Sequence, residues 1–394
     1  MPNSSLQPTP ISAPKIAIIG AGLTGLFTAT LLERAFSQMN DQKMNDKSLI
    51  PEITIFEKSR SVGRLATRYR SDSLTDKNWQ WAFGAQFFTA KSASFQQFIE
   101  PWLQTGLLQP WCARVVSLTP MSENNPTADM HLKEQWGSTQ SRYISTPKMT
   151  SWGRELAAAL KHTNILFSTR VAPLGEHTTH SNYKKTELFD EKGYSLGWFD
   201  WVICTVPNGQ AVELMADSGF SQQDKINEPQ MQACYTLMLG WNVTQELPAT
   251  IRSQVAPQWE VAYLNSDILD RIFIEHHKPA HDALLPSVTV HARNDWSQAH
   301  VDEEIASVKA TLLAAAQQAL NWDTDSAPSQ TDCHRWRYAA TVVDTDVDAN
   351  VSGILIDDAK QWVVSGDWCA RGNIESCYQV ARQTVEAVCR ARSI

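Results

Sequence analysis

Basic residues are the minority charge in this chain: 34 lysines and arginines stand against 42 aspartates and glutamates over 394 residues, a formal net charge of -8. No cluster of Lys and Arg interrupts that excess, which argues against nucleic acid or an anionic membrane surface as the main partner. Cysteine is sparse and unpaired. Its seven copies (Cys112, Cys204, Cys234, Cys333, Cys369, Cys377, Cys389) form no CxxC pair, so neither a disulfide framework nor a metal site is expected, and the cytoplasm is the expected compartment. Internal repeats and low-complexity tracts are also missing. The most apolar stretch, Ile16 to Leu32, is broken by three glycines, and residues 1–14 before it are uncharged and rich in Pro and Ser. That pattern is better explained by a turn than by a signal peptide or membrane span, and residues 1–14 are expected to be a floppy tail. What remains is ordinary for a globular protein with room for two domains: 43% hydrophobic and 19% charged residues.

After that tail, residues 15–35 read "KIAIIGAGLTGLFTATLLERA". Lys15 to Ile19 is short, rich in Ile and bounded by glycine, as a buried parallel strand is. Leu23, Leu26, Phe27, Thr30 and Leu31 then recur at helical spacing, predicting a helix of about four turns with one buried stripe. Ser37 to Ser48 is polar and aperiodic, an excursion at the surface. "EITIFEKS" supplies a second strand and completes a βαβ unit. Farther on, "NILFSTRVAPL", "FDWVICTVP", "YTLMLGWNV", "SVTVHAR" and "QWVVSG" contain strands, and "DEEIASVKATLLAAAQQAL" contains a helix. "MSENNPTADM" and "WDTDSAPSQTD" are expected as surface loops. Ile374, Cys377, Ala381, Val385 and Val388 place an apolar stripe on a last helix. The expected organisation is an α/β nucleotide domain made of residues 15–110, 149–210 and 340–394. A mixed α+β substrate domain, residues 111–148 and 211–339, is inserted within it.

Gly20, Gly22 and Gly25 form GxGxxG between the first strand and helix, and each glycine has a physical task. The first permits a tight turn, the second lets backbone N–H groups approach a pyrophosphate, and the third lets helix pack on sheet. The helix N-terminus, including Leu23 and Thr24, offers free N–H groups and partial positive charge to phosphate. Glu57, ending the second strand with Lys58 beside it, is placed to accept ribose hydroxyls, and its charge disfavours a 2'-phosphate. "EKSRSVGRLATRY" then adds a second glycine-containing loop, Gly63, Arg64 and Leu65. A nicotinamide site does not need that loop, whereas an extended flavin dinucleotide needs a cationic clamp on its pyrophosphate.

At this point the sequence resembles the flavin-containing amine oxidase superfamily, in which two adjacent glycines usually precede that arginine; here Val62 replaces the first. "WAFGAQFFTA" narrows the resemblance to the renalase-like branch. It implies that Gly84, Ala85, Gln86 and Phe87 pass close to the flavin ring, where small residues leave room for a planar isoalloxazine; Phe87 and Phe88 fit a plain core position equally well. By the same resemblance Val171 pairs its backbone with the adenine, and Thr205 and Pro207 return the chain from the nucleotide domain. In "WVVSGDWCARGNIESCYQVARQTVEAV", Gly366 and Asp367 match the motif whose acid holds the ribityl chain or pyrophosphate. The helix that begins near Asn373, Ile374 and Glu375 would aim its N-terminus at the flavin pyrimidine edge. "HRWRYA" and "HARNDWS" extend the likeness over the chain from about residue 14 onward.

The fold implied is a Rossmann-like FAD-binding domain of the p-hydroxybenzoate hydroxylase type carrying a substrate domain, and the cofactor implied is FAD. The reaction implied is oxidation of isomeric dihydronicotinamide dinucleotides by hydride transfer to flavin N5, with the electrons passed to O2 to give hydrogen peroxide. Such a transfer needs stacking, orientation and exclusion of water more than acid–base machinery. Of the fifteen tryptophans, Trp241, Trp296 and Trp336 fall in segments expected on the substrate side, as core or as substrate contacts. His291 and Arg293 share a face of a strand and can bind a polar group, although His291 fits a structural hydrogen-bonding role as well. Arg371 is a candidate phosphate contact. The rival enzyme is an amine oxidase, which often carries a lysine near flavin N5; none stands in "SVTVHARNDWS". A rival from another class is a flavin-binding redox sensor without turnover. Cys369 and Cys377 are expected to be buried, inert thiols.

Overall fold

Within Lys15–Ile19, Ile16 and Ile18 pack into one apolar cluster and Ala17 and Ile19 into another. A strand that buries both faces belongs in the middle of a layered α/β structure, and that is where the computed structural model puts it. The structure describes residues 13–42, 50–121, 128–137, 141–177, 185–228, 230–252, 258–342 and 353–391; most of the expected N-terminal tail lies outside these.

Six strands form the first sheet, in the order Thr163–Leu166, Glu52–Phe56, Lys15–Ile19, Trp201–Cys204, Trp362–Val364, Leu355–Asp357. All neighbours run parallel except the last pair. The helices Leu23–Gln42 and Ile374–Arg390 pack together on one face. Their stripe includes Leu26, Phe27, Cys377, Ala381, Val385 and Val388, as the helical spacing of these residues requires. The first helix is longer than its apolar stripe predicts, because residues 37–42, expected in a loop, continue it. Met39 packs against the core and nothing in that turn breaks a helix. The remainder of the expected excursion, residues 43–48, lies outside the described residues.

A second sheet has seven strands, in the order Gln330–Thr341, Met231–Gly240, Ser287–Ala292, Leu269–Ile274, Val261–Leu264, Arg114–Thr119, Asp129–Gln135. The segment 330–332, expected in a loop, is already strand, paired with the end of Met231–Gly240. Period-2 alternation sorts its residues cleanly. Val288, Val290 and Ala292, with Ile272 and Ile274, pack toward the helix Ile305–Leu320. Thr289, His291, Arg271 and Phe273 take the opposite face. The hairpin Thr67–Ser71/Asn78–Ala82 is fastened to the second sheet, with Trp79 and Trp81 donating indole N–H bonds to Trp241 O and Leu239 O at 2.9 Å. Among the described residues, no helix is long and apolar enough to cross a membrane. No group of three or more His, Cys, Asp or Glu among them is arranged to hold a metal ion.

Candidate active site

A cavity of about 1030 Å³ begins at the carboxyl ends of the first sheet's parallel strands and runs to the face of the second sheet. Gly20 turns the chain there with φ +111°, in the left-handed region that glycine favours. Thr205 Oγ1 donates to the carbonyls of Ile19 and Gly20 at 3.0 and 2.9 Å. A Cβ on Gly22 would meet nothing within 4 Å, so the backbone is open to the cavity. A Cβ on Gly25 would strike Gly20 O; that glycine is a packing residue and does not line the wall. Leu23 and Thr24 line it at the start of the helix.

Glu57 is buried, and its two carboxylate oxygens accept from the N–H groups of Ala21 and Ser59, both at 2.8 Å. Each oxygen keeps a lone pair for a sugar hydroxyl. Lys58 lines the same end, its amine held below the usual range by burial and by Arg170. The second loop seats Gly63, at φ +49°, directly on Gly22. Val62 is buried against Gly153, which has no side chain in its way.

Arg64 and Asp367, expected as separate cofactor contacts, are ion-paired at 2.5 Å across the cavity. Leu65 lies beside them, and a Cβ on Gly84 would collide with Arg64 O. Gly84, Ala85, Gln86 and Phe87 all reach the cavity, as do Val171, Thr205 and Pro207. Asn373 caps the last helix by accepting from Ser376 N at 2.8 Å, and Ile374 follows it on the wall. Burial pushes the thiols of Cys369 and Cys377 up to about 12, too high for a reactive thiolate.

Six sequence candidates sit elsewhere. Gly366 is off the wall because its hydrogen faces the Trp368 indole. The Glu375 side chain points away from the cavity and accepts from Lys91 N and Ser92 N at 2.8 Å, anchoring the start of the helix Ala93–Gln104. Arg371 is exposed in the turn after Asp367–Cys369. Trp296 stacks on His300 and packs on Tyr235 behind the second sheet. Arg293 does not share a face with His291, because the strand ends at Ala292; Arg293 caps the next helix and pairs with Asp295 at 2.8 Å. Trp241 is buried with Trp322 on the far side.

His291 and Trp336 do reach the cavity. Trp336 stacks on Phe83 and donates to its carbonyl at 2.8 Å, and His334 meets both rings edge-on. Arg271 and Phe273 complete this end. Sequence reasoning missed Arg271, although a charge inside the apolar strand "LDRIFI" was a usable signal. It also missed Lys278, fully buried behind Gln86 and paired with Glu275 at 2.9 Å.

Burial lowers His291 from 6.5 to about 3, helped by Arg271 and Lys278, and lowers His276 and His334 to about 4. The unfolded chain protonates these rings near 6.5, the folded protein only at about 3 to 4, so the unfolded state binds more protons in that window. Stability is therefore present above pH 6.5 and falls as pH drops below it. Thermal unfolding measured from about pH 7 to 4.5 should show the midpoint falling, and His291→Gln should flatten the slope. An equal slope in both proteins would show His291 to be solvated.

No protein-family model matches the chain. Solved structures share its fold along nearly its whole length. A protein from an Exiguobacterium species named for protoporphyrinogen oxidase activity superposes with a TM-score of 0.68 at 13% identity, covering 96% of this chain and 99% of that one. Cyclohexylamine oxidase from Brevibacterium oxydans gives 0.67 at 11% identity, with 96% and 99% coverage. Putrescine oxidase bound to putrescine gives 0.66 at 12%, with the same coverage. The chain thus has the two-domain fold of these oxidases.

Proposed function

We propose that this protein is an FAD-dependent oxidoreductase that oxidises isomeric dihydronicotinamide dinucleotides, as the renalase-like resemblance implies. The cavity supports FAD as the cofactor: an open Gly22 backbone, Glu57 at the ribose position, the Arg64 cation and the capped N-terminus of the last helix suit an extended dinucleotide. The bound flavin would supply hydride acceptance and return of the electrons to O2 as hydrogen peroxide.

The observation that carries the substrate reading is the wall facing the second sheet. It consists of neutral imidazoles, His291 and His334, the stacked rings of Phe83 and Trp336, and the half-buried guanidinium of Arg271. Flat rings orient a dihydropyridine by stacking, the polar edges bind its substituent, and Arg271 offers a charge to a substrate phosphate. No proton need move for hydride transfer, and two imidazoles held neutral fit that requirement. The rival reading, an amine oxidase, draws on Asp270, which also reaches the cavity and could receive an ammonium group. Its carboxylate lies 3.1 Å from Arg271 Nε, which weakens that role.

Anaerobic mixing of the yellow protein with 2- or 6-dihydronicotinamide dinucleotides should bleach the flavin band, and air should restore it with release of peroxide. Bleaching by putrescine or cyclohexylamine alone would make the protein an amine oxidase, and bleaching by neither would favour a redox sensor.

A further inference from the structure

Gln86 lies between two groups with opposite demands. Lys278 Nζ donates to its Oε1 at 2.8 Å, and a lysine ammonium has no acceptor. Its Nε2 contacts the carbonyl oxygen of Ala82, which can only accept. Both constraints give the side-chain amide the same orientation, oxygen toward Lys278 and NH2 away from it. The second hydrogen of that NH2 faces His291 Nε2 at 3.3 Å. An N–H on that ring nitrogen would confront a donor with a donor, so Nε2 is the lone-pair nitrogen.

We propose that Gln86 is a positioning residue that fixes His291 in its Nδ1–H tautomer, so that the ring presents a hydrogen-bond donor to a carbonyl oxygen of the substrate. Nδ1 has no hydrogen-bond partner among the described residues, and His291 forms part of the cavity wall. The buried charge behind Gln86 keeps the arrangement in place. Glu275 holds Lys278 at 2.9 Å and is itself held by Thr289 Oγ1 at 2.5 Å and Ala82 N at 3.2 Å. An ammonium substrate offers donors only and gains nothing from such a ring, whereas the carboxamide oxygen of a dihydronicotinamide is the acceptor it lacks. The substrate half of this inference rests on the proposed dihydronicotinamide oxidase activity; the tautomer half does not.

The test begins without substrate. In the holoprotein labelled with 15N-histidine, the His291 resonances are identified by their loss in His291→Gln. At pH 7 they should show a pyridine-type Nε2 and a pyrrole-type Nδ1. Gln86→Met should give a mixture of tautomers, and Gln86→Glu, which replaces the donor by an acceptor, should invert the assignment. A wild-type ring carrying its proton on Nε2, or on both nitrogens, overturns the proposal whether or not either variant folds.

A kinetic arm then reads the substrate. In the wild type, replacing the carboxamide of the dihydronicotinamide dinucleotide by a thioamide should lower kcat/KM about tenfold, the value of one good hydrogen bond. The same change should cost much less in Gln86→Glu, where Nδ1 no longer donates. Equal losses in both proteins would overturn the substrate contact. Bleaching by amines alone, with the Nδ1–H tautomer intact, would instead overturn the activity and leave the tautomer assignment standing.

Discussion

Gly25→Ala is expected to abolish soluble, cofactor-loaded protein, whereas Gly22→Leu leaves the fold intact and removes only the cofactor. The contrast follows from what each missing side chain would touch. A methyl on Gly25 would be driven into Gly20 O and within 3.0 Å of Thr205 Oγ1. Thr205 is already committed to the carbonyls of Ile19 and Gly20. Neither backbone nor hydroxyl can withdraw without opening the join between helix and sheet, so the loss should reach or exceed the upper end of the about 1–3 kcal/mol typical of overpacking. A Cβ on Gly22 meets nothing within 4 Å, and Gly22 lines the cavity, so the rest of a leucine side chain is expected to extend into it. Its apoprotein stability should match the wild type within about 0.5 kcal/mol, the usual range away from packed sites. Absorbance of the purified proteins near the flavin band, beside their thermal midpoints, reads both effects. A yellow Gly22→Leu protein would show that the ligand does not approach that turn.

The glycines were legible because their constraints are local: a turn, an approach and a packing contact are set within a few residues. The same holds for the paired strands of the first sheet, whose apolar runs are long enough to announce themselves. The substrate wall was less legible. His291 was found, but Arg293 was assigned to its face because alternation was carried one step past the end of the strand. Arg371 and Glu375 were assigned to the cavity because they stand within the motif that holds Asp367 and Asn373. A short helical turn and the 3.6-residue period point them elsewhere. Lys278 gave no signal at all. It lies thirteen residues before His291 and almost two hundred after Gln86, and only the pairing of the second sheet with the hairpin brings the three together. The lysine lies not in the strand of "SVTVHARNDWS" but in the short helical turn and connection that precede it.

Lys278→Met should cost about 3–5 kcal/mol, the penalty for leaving one member of a buried ion pair without its partner. Glu275 is 0% exposed and Lys278 3%, so water cannot replace the lost ammonium. Thr289 Oγ1 and Ala82 N still donate to the carboxylate, but two neutral donors compensate a buried charge poorly. Removing both charges, as Glu275→Gln with Lys278→Met, should recover most of the loss, because a neutral pair of similar volume avoids the desolvation of either ion. Chemical denaturation of the three proteins at about pH 7 measures both effects. If Lys278→Met were as stable as the wild type at neutral pH, the pair would already be neutral in the native protein. Ala82 O would then be the sole group fixing the Gln86 amide.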